Sequence, residues 1–324
     1  MSLDALIQGV NDFFDGKLTV DLVSEAECFV SRYGSDNIFK KTFLQGLGFP
    51  TSDYLSSLSN LVGLMIYLKN ELGLSKSEQQ EVIKEFPPLL GLSVVDGSSS
   101  NLISKVGFYD SKLGISPLEL GCLVKKFPGI LHYSVVDDGS PSNLISKVGF
   151  YDSKLGISPL ELGCLVKKFP GILTYSVVDD GSETNLRSKI DFYTNDYGLE
   201  IDELSYIIRK TPSLLGSSVK LNVEPKVYYL RLKNKLDNYK ITSIASYTDS
   251  RFAKLIGESL DEFKQFKDNW IYLTSQKKLG LDKTKLDLKE IAMHNKNELE
   301  QAYQRIEQSG RLTELQNNPN LIFN

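Results

Sequence analysis

The sequence NLISKVGFYDSKLGISPLELGCLVKKFPGIL occupies Asn101 to Leu131 and recurs without a change from Asn143 to Leu173. The two copies are offset by 42 residues, and only His132 and Thr174 differ before both copies continue as YSVVDDGS. Identity over this length indicates a recent tandem duplication. Because self-similarity at a period of about 20–50 residues is typical of solenoids and related arrays, this repeat decides the fold prediction.

Diverged copies of the same unit flank the duplication. A glycine motif divides each unit, and a proline motif closes its second half. The glycine motifs are Leu72-Gly73, Leu113-Gly114, Leu155-Gly156 and Tyr197-Gly198, spaced by 41, 42 and 42 residues. The proline motifs are Phe86-Pro87, Phe127-Pro128, Phe169-Pro170 and Thr211-Pro212. A fifth, shorter unit begins at Asn222, where NVEPKVYYL aligns with the NLRSKIDFY that starts at Asn185.

Each unit predicts two helices. The first has an apolar stripe at helical spacing, formed by Leu144, Val148, Tyr151 and Leu155. Gly156 then predicts the end of that helix. Ser158-Pro159-Leu160-Glu161 predicts the next start, because serine, proline and glutamate occupy the N-cap, first and third positions of a capping box. The VVDDGS at 177–182 is predicted as a polar turn that links one unit to the next.

These units predict an all-α protein built as an α-solenoid, since one helical hairpin cannot bury its apolar face without stacked neighbours. The period alone is also that of HEAT or armadillo units of about 40–47 residues. We expect an N-terminal helical cap at 1–59 and four tandem repeats at 60–217. Degenerate repeats at 218–281 and a C-terminal helix with a tail at 282–324 complete the division.

The order of the motifs resembles that of the mitochondrial transcription termination factor (mTERF) family. The pattern is LGISPLELGCLVKKFPGIL in the duplicated units, LGLSKSEQQEVIKEFPPLL at Leu72–Leu90 and YGLEIDELSYIIRKTPSLL at Tyr197–Leu215. The resemblance implies stacked three-helix motifs whose third element is a short 3₁₀-like turn after the proline. It also implies nucleic-acid binding along the inner surface, with roles in organelle transcription, RNA maturation or translation.

The composition gives no support for catalysis. The 324 residues are 41% hydrophobic and 24% charged, as in ordinary globular proteins. His132 and His294 have no partner motif, and three cysteines are too few for a disulfide framework. Zinc-hydrolase, nucleophilic-serine, P-loop and dinucleotide motifs do not occur in the sequence. We therefore expect no enzyme, no cofactor and no metal site.

The sequence alone leaves the location of the protein open. No apolar run approaches the roughly 20 residues of a membrane-spanning helix, so we expect no membrane segment. Met1 to Phe14 lacks a basic region and contains Asp4 and Asp12, whereas organelle transit peptides are arginine-rich and poor in acidic residues. A mitochondrion or plastid is implied only by the family resemblance. We expect a monomer.

Recurrent basic residues give the first candidate for a nucleic-acid interface. Each unit places basic residues just before its proline motif: Lys84, Lys125, Lys126, Lys167, Lys168, Arg209 and Lys210. Such a ladder can follow a phosphate backbone without reading bases. The alternative is that lysines in the last turn of a helix only complement its macrodipole and solvate its end.

A second candidate group lies in the C-terminal third, from Val219 to Asn324, which has 18 basic and 14 acidic residues. The group consists of Lys226, Arg231, Lys233, Lys235, Arg251 and Lys254. Tyr228 and Tyr229 follow Lys226, and either they stack on unpaired bases or they pack against a neighbouring repeat. We expect double-stranded DNA or RNA as the partner. A protein-interaction scaffold remains the alternative, because the pI is about 5.5 and solenoids also bind proteins.

Overall fold

The computed structural model describes residues 2–17, 21–34, 36–50, 55–94, 101–136, 143–177, 185–275 and 281–323. The chain divides into two compact units, Met1–Asp179 and Asp180–Asn324. Every regular element of the described residues is helical, which confirms the all-α class. The polar turn predicted at 177–182 lies outside the described residues except for Val177.

The first unit contains nine α-helices among its described residues. They are α1 (Leu3–Phe14), α2 (Leu22–Tyr33), α3 (Asn37–Gly46), α4 (Leu58–Asn70), α5 (Lys76–Glu85), α6 (Leu102–Leu113), α7 (Pro117–Val124), α8 (Leu144–Leu155) and α9 (Pro159–Lys168). Short 3₁₀ helices follow α5, α7 and α9, at Pro87–Gly91, Pro128–His132 and Pro170–Thr174. The repeat is therefore a three-element motif, as the family resemblance implied.

The second unit begins with the same motif and then becomes less regular. Its α-helices are α10 (Leu186–Asp191), α11 (Ile201–Lys210), α12 (Glu224–Leu232), α13 (Ile241–Ser246), α14 (Asp249–Ile256), α15 (Leu260–Ser275), α16 (Leu288–Met293), α17 (Lys296–Gln308) and α18 (Leu312–Asn317). Its 3₁₀ helices are Pro212–Gly216, Leu236–Asn238, Lys283–Lys285 and Pro319–Phe323, and π-helical turns occupy Phe192–Asp196 and Val219–Val223.

In the three repeats of the first unit, a glycine with positive φ and a capping serine join the two helices, as predicted, whereas Glu200 takes the place of the serine before α11. Gly114 has φ +61°, a conformation that a residue with a Cβ rarely adopts, and its N–H donates to Asp110 O at 3.1 Å. In α7, the Ser116 N–H donates to the Glu119 carboxylate at 2.9 Å, and the Glu119 N–H donates to Ser116 Oγ. This reciprocal capping box satisfies two amides that the helix itself leaves unpaired.

A glycine in the second helix allows successive repeats of the first unit to approach closely. A Cβ on Gly121 would lie 1.9 Å from Leu72 O, and one on Gly163 would lie 1.7 Å from Leu113 O. Both distances are far below van der Waals contact, so only glycine fits without a backbone shift. The cysteines beside these glycines, Cys122 and Cys164, are exposed. The glycines, and not the cysteines, therefore provide the close packing.

Three successive repeats also contain a buried lysine, Lys105, Lys147 or Lys189, that the sequence did not reveal. Lys105 donates from Nζ to Leu131 O at 2.9 Å, and Tyr109 donates from its hydroxyl to Ile130 O at 2.8 Å. The same two contacts recur for Lys147 with Tyr151 and for Lys189 with Tyr193. The first helix thus anchors the carbonyl groups of its own 3₁₀ helix.

The C-terminal region differs from the single helix and tail expected at 282–324. Helix α17 is followed by Gly310 at φ +74°, then by α18, and finally by the 3₁₀ helix Pro319–Phe323. Asn318 before the proline has φ −135° and ψ 86°, close to the φ −135° and ψ 75° of Phe86. This region therefore has the order of elements of a repeat, although its sequence retains only the glycine and the proline.

Candidate nucleic-acid interface

The first basic residue of each duplicated pair is bound to the preceding repeat. Lys125 Nζ lies 2.8 Å from Glu78 Oε1, and Lys167 Nζ lies 3.0 Å from Glu119 Oε1. The hydrogen bond from Lys125 lowers the pKa of Glu78 to about 2, and Glu78 in turn raises the pKa of Lys125. These two lysines therefore tie neighbouring repeats together, and their charge is already balanced by a capping-box glutamate.

The second basic residue of each pair remains available to solvent. Lys126 and Lys168 are exposed, and neither forms an ion pair among the described residues. Lys84, which precedes the proline motif of the earlier repeat, is exposed as well. These three cations are the members of the predicted ladder in the first unit that can contact a phosphate without first breaking an ion pair.

The corresponding pair of the second unit, Arg209 and Lys210, ends helix α11. Arg209 is half-buried, and Lys210 is exposed. Lys210 Nζ lies 5.7 Å from the ring centroid of Tyr206, one turn earlier on the same helix. The position thus combines a cation with an exposed aromatic ring, a combination that the sequence analysis did not consider.

Lys226, the first member of the second candidate group, is completely buried at 0% exposure. Its Nζ donates to Asn222 Oδ1 and to Tyr247 O, and it lies 3.8 Å from Asp249 Oδ1. Burial lowers the pKa of Lys226 to about 8. This lysine anchors a neighbouring element and cannot reach a polymer at the surface, so its prediction as a nucleic-acid contact is wrong.

Three further members of this group are already engaged within the second unit. Lys233 and Lys235 both bind the carboxylate of Glu258, at 2.7 and 3.1 Å. Arg231 donates to Asp196 O, and its guanidinium carbon lies 4.8 Å from the ring centroid of Tyr228. These contacts make Lys233, Lys235 and Arg231 structural cations, which the sequence could not reveal because their partners lie 23 to 35 positions away.

Arg251 and Lys254, on helix α14, are the exposed members of the group. The guanidinium carbon of Arg251 lies 4.6 Å from the ring centroid of Tyr247. Neither residue forms an ion pair in the part of the chain that the structure describes. Within the group, these two side chains therefore remain candidates for contact with nucleic acid.

Tyr228 and Tyr229 lie in the core and not at the surface. The ring of Tyr228 stacks on Trp270 with a centroid distance of 4.0 Å, and Tyr229 contacts Phe263 and Phe266. Both tyrosines are buried, at 3% and 1% exposure. Packing against neighbouring helices, the alternative weighed from the sequence, is therefore their role, and neither ring can stack on a base.

Three other features of the described residues concern a groove, metal ligation and membrane spans. A groove of about 750 Å³ in the first unit runs along α4, between α2 and α6, and its described lining contains no lysine or arginine. No three His, Cys, Asp or Glu side chains converge to hold a metal ion in the described ranges. No helix within these ranges is long and apolar enough to cross a bilayer.

Comparison with known proteins identifies one stretch of the chain. The family model named mTERF matches residues 134–250, which include the second duplicated unit, the repeat after it and helix α13. The resemblance inferred from the glycine and proline motifs is confirmed over this stretch. No curated protein sequence matches the chain.

Proposed function

Because residues 134–250 match the family model named mTERF, we propose that this protein binds nucleic acid through phosphate contacts and regulates gene expression of the organellar type. Transcription termination, other transcriptional regulation and RNA processing all fit this proposal. Helical-repeat arrays present extended surfaces along which one contact can recur per repeat. The proposal does not require catalysis by the protein itself.

The observation that carries the proposal is the pair of equivalent, exposed cations Lys126 and Lys168. Each follows a lysine that is committed to an ion pair with the preceding repeat. The ion pairs hold the second helices in register, and the next residue presents an unbalanced charge at the same place in both duplicated repeats. A backbone of phosphates, which carries one negative charge per nucleotide, is the regular anionic polymer that such cations suit.

The test compares two double variants with the same change in charge. Lys126→Glu with Lys168→Glu reverses the proposed contacts, whereas Lys112→Glu with Lys154→Glu reverses exposed lysines on the first helices of the same two repeats. Binding to duplex DNA and to single-stranded RNA is measured from about 50 to about 200 mM salt. We expect the first double variant to reduce the slope of log affinity against log salt by about 1.4–1.8, the value for two lost contacts.

The control double variant is expected to leave that slope within about 0.5 of the wild-type value, since it removes no direct contact. An equal loss in both double variants would mean that only the net charge matters, and it would reject these lysines as the site. If the wild-type protein bound neither polymer at low salt, the proposed function itself would be rejected.

A protein-interaction scaffold is the second candidate function, and two exposed leucines favour it. Leu118 and Leu160 occupy equivalent positions on α7 and α9, with 63% and 62% of their surfaces exposed. If the protein is a scaffold, Leu118→Ser with Leu160→Ser should abolish binding of a purified partner that Lys126→Glu with Lys168→Glu leaves bound. Retention of every partner by the leucine variant would exclude this surface.

A further inference from the structure

The second unit carries an exposed aromatic ring beside a cation on helix α11. The side chain of Tyr206 is 60% exposed, whereas Tyr193, Tyr228 and Tyr229 of the same unit are buried. Lys210 lies one helical turn later, with Nζ 5.7 Å from the ring centroid. The acidic residues Asp202 and Glu203 belong to the first turn of α11, at the opposite end from Lys210.

A second pair of the same type precedes and begins helix α14. Tyr247 lies just before the N-cap Thr248, and Arg251 places its guanidinium carbon 4.6 Å from the tyrosine ring centroid. Arg251 is exposed, so its guanidinium group lies near the ring and is also accessible to solvent. Asp249, the acidic residue in this turn, is bound to Lys267 at 2.7 Å and does not compete for Arg251.

The two pairs share a chemistry that differs from that of a phosphate ladder. An aromatic ring or a guanidinium plane stacks on the flat face of an unpaired base, and a neighbouring cation balances the phosphate of the same nucleotide. In a duplex the bases are already stacked on one another, so an intact duplex offers the rings no free face. The buried tyrosines of this unit, Tyr228 and Tyr229, have no such access.

The platform on α11 is a change from the duplicated repeats. Tyr206 stands 42 residues after Cys164, which in turn follows Cys122 by 42 residues. All three positions are exposed on the second helix of their repeat, four residues before an exposed lysine. These three repeats therefore keep the lysine and vary the side chain four residues before it. This is expected if the lysine contacts a phosphate and the varied side chain contacts a base.

From these observations we infer that single-stranded nucleic acid is the ligand of the second unit, and that unpaired bases stack on Tyr206 beside Lys210 and on Arg251 above Tyr247. This inference rests on the proposed function and assigns its polymer class. Because every base has a flat face, stacking of this kind tolerates sequence and discriminates single strands from duplexes.

The test separates bases from phosphates. The full-length protein is titrated with a single-stranded oligonucleotide, with its RNA equivalent, with the duplex of the same sequence, and with an abasic chain of equal length and charge. Tyr206→Leu removes the ring and Tyr206→Phe retains it, whereas Arg251→Lys removes the planar group and retains the charge. Circular dichroism confirms that each variant is folded.

We expect the wild-type protein to bind the base-bearing single strand more tightly than the abasic chain. Tyr206→Leu and Arg251→Lys should each weaken binding of the base-bearing strand by about 5- to 150-fold, the range for loss of one base stack. Both variants should leave the affinity for the abasic chain unchanged, and Tyr206→Phe should retain wild-type affinity for every ligand.

Equal binding of the abasic and base-bearing chains, tighter binding of the duplex, or wild-type affinity in both Tyr206→Leu and Arg251→Lys would overturn the inference. The phosphate contacts of the proposed function would survive each of these results. Failure of all the chains to bind at low salt would instead reject the proposed function, and the stacking inference with it.

Discussion

The buried lysines stabilise the repeats through hydrogen bonds to backbone carbonyl groups, and burial changes the pKa of Lys147. Lys147 lies on the apolar face of α8, and it donates to Leu173 O and lies 4.7 Å from the ring centroid of Tyr133. Burial lowers the pKa of Lys147 to about 8. An unpaired carbonyl at the end of a 3₁₀ helix is thereby satisfied, at the cost of holding an amine in a poorly hydrated position.

Replacement of this lysine tests the carbonyl contact. Lys147→Met keeps the aliphatic chain but leaves Leu173 O without its donor, so we expect the free energy of unfolding at pH 7 to fall by about 1–3 kcal/mol. Lys105→Met changes the equivalent contact in the other duplicated unit and should act in the same direction. Denaturant titration measures both, and unchanged stability in both variants would contradict the role assigned to the amine.

The same lysine predicts a dependence on pH. The unfolded chain holds the proton up to the usual pKa of 10.5, whereas the folded protein loses it at about 8. Between these values the unfolded state binds more protons, so the stability contributed at this site rises with pH. The stability difference between wild type and Lys147→Met should therefore increase from pH 8 to pH 10. A constant difference would mean that the amine has its normal pKa.

Two glycines of one repeat give a matched comparison of close packing and helix propensity. Gly163 faces Leu113 O, where a Cβ would lie only 1.7 Å away, whereas a Cβ on Gly149 of α8 would meet nothing within 4 Å. We expect Gly163→Ala to lower the free energy of unfolding by about 3 kcal/mol or more, because the backbones must separate. Gly149→Ala should raise it by about 0.5–1 kcal/mol. Similar effects in the two variants would contradict the close approach.

At the scale of the elements, the sequence predicted contacts between residues that are close in the chain and missed contacts between residues that are distant in it. The serine, proline and glutamate of each capping box are neighbours in the chain, so α7 and α9 were predictable from Ser116 and Ser158. The ion pairs of Lys125 and Lys167 join residues 47 and 48 positions apart. No pattern within one repeat distinguishes these lysines from the exposed lysines beside them, so the candidate site could be narrowed only by the structure.

The contact between Glu78 and Lys125 predicts an acid-sensitive coupling between repeats. The folded-state pKa of Glu78, about 2, lies below the usual 4.5, so the stabilisation is present above pH 4.5 and is lost as pH falls toward 2. A double-mutant cycle with Glu78→Gln and Lys125→Met should give a coupling energy of about 0.2–1 kcal/mol at pH 7. We expect this energy to approach zero at pH 2, and to decrease with added salt at pH 7. A coupling that persists in acid would show that the two side chains interact without charge.

At the scale of the whole molecule, the charges of the two units differ. Residues 1–179 contain 15 basic and 20 acidic residues, whereas residues 180–324 contain 22 and 21. Two of these basic residues, Lys189 and Lys226, are nevertheless buried, and Lys233 is paired with Glu258. Composition therefore overstates the cationic surface of this unit, and a count of basic residues is a poor guide to its binding face.

Brief labelling of the folded protein with an amine-reactive reagent tests which lysines are exposed and which are buried. Lys84 and Lys254 are exposed, so we expect both to be modified at least about ten times faster than Lys189 and Lys226, which are buried. Each of the four lies in a sequence that occurs once in the chain, so mass spectrometry of peptides can assign the modification. The difference should disappear in denaturant. Rapid modification of Lys226 in the folded protein would contradict its burial.

The contacts between Gly163 and Leu113 O and between Lys167 and Glu119 allow the array to gain or lose a repeat without requiring new contact residues. The first duplicated module uses Gly121 and Lys125 to contact Leu72 O and Glu78 of the module before it. It also offers Leu113 O and Glu119 to Gly163 and Lys167 of the module after it. A further copy of the 42 residues, inserted between the duplicated modules, would therefore find complementary contact residues on both sides. Loss of one copy would bring complementary surfaces together again. The two identical sequences are what a recent duplication of one module would produce.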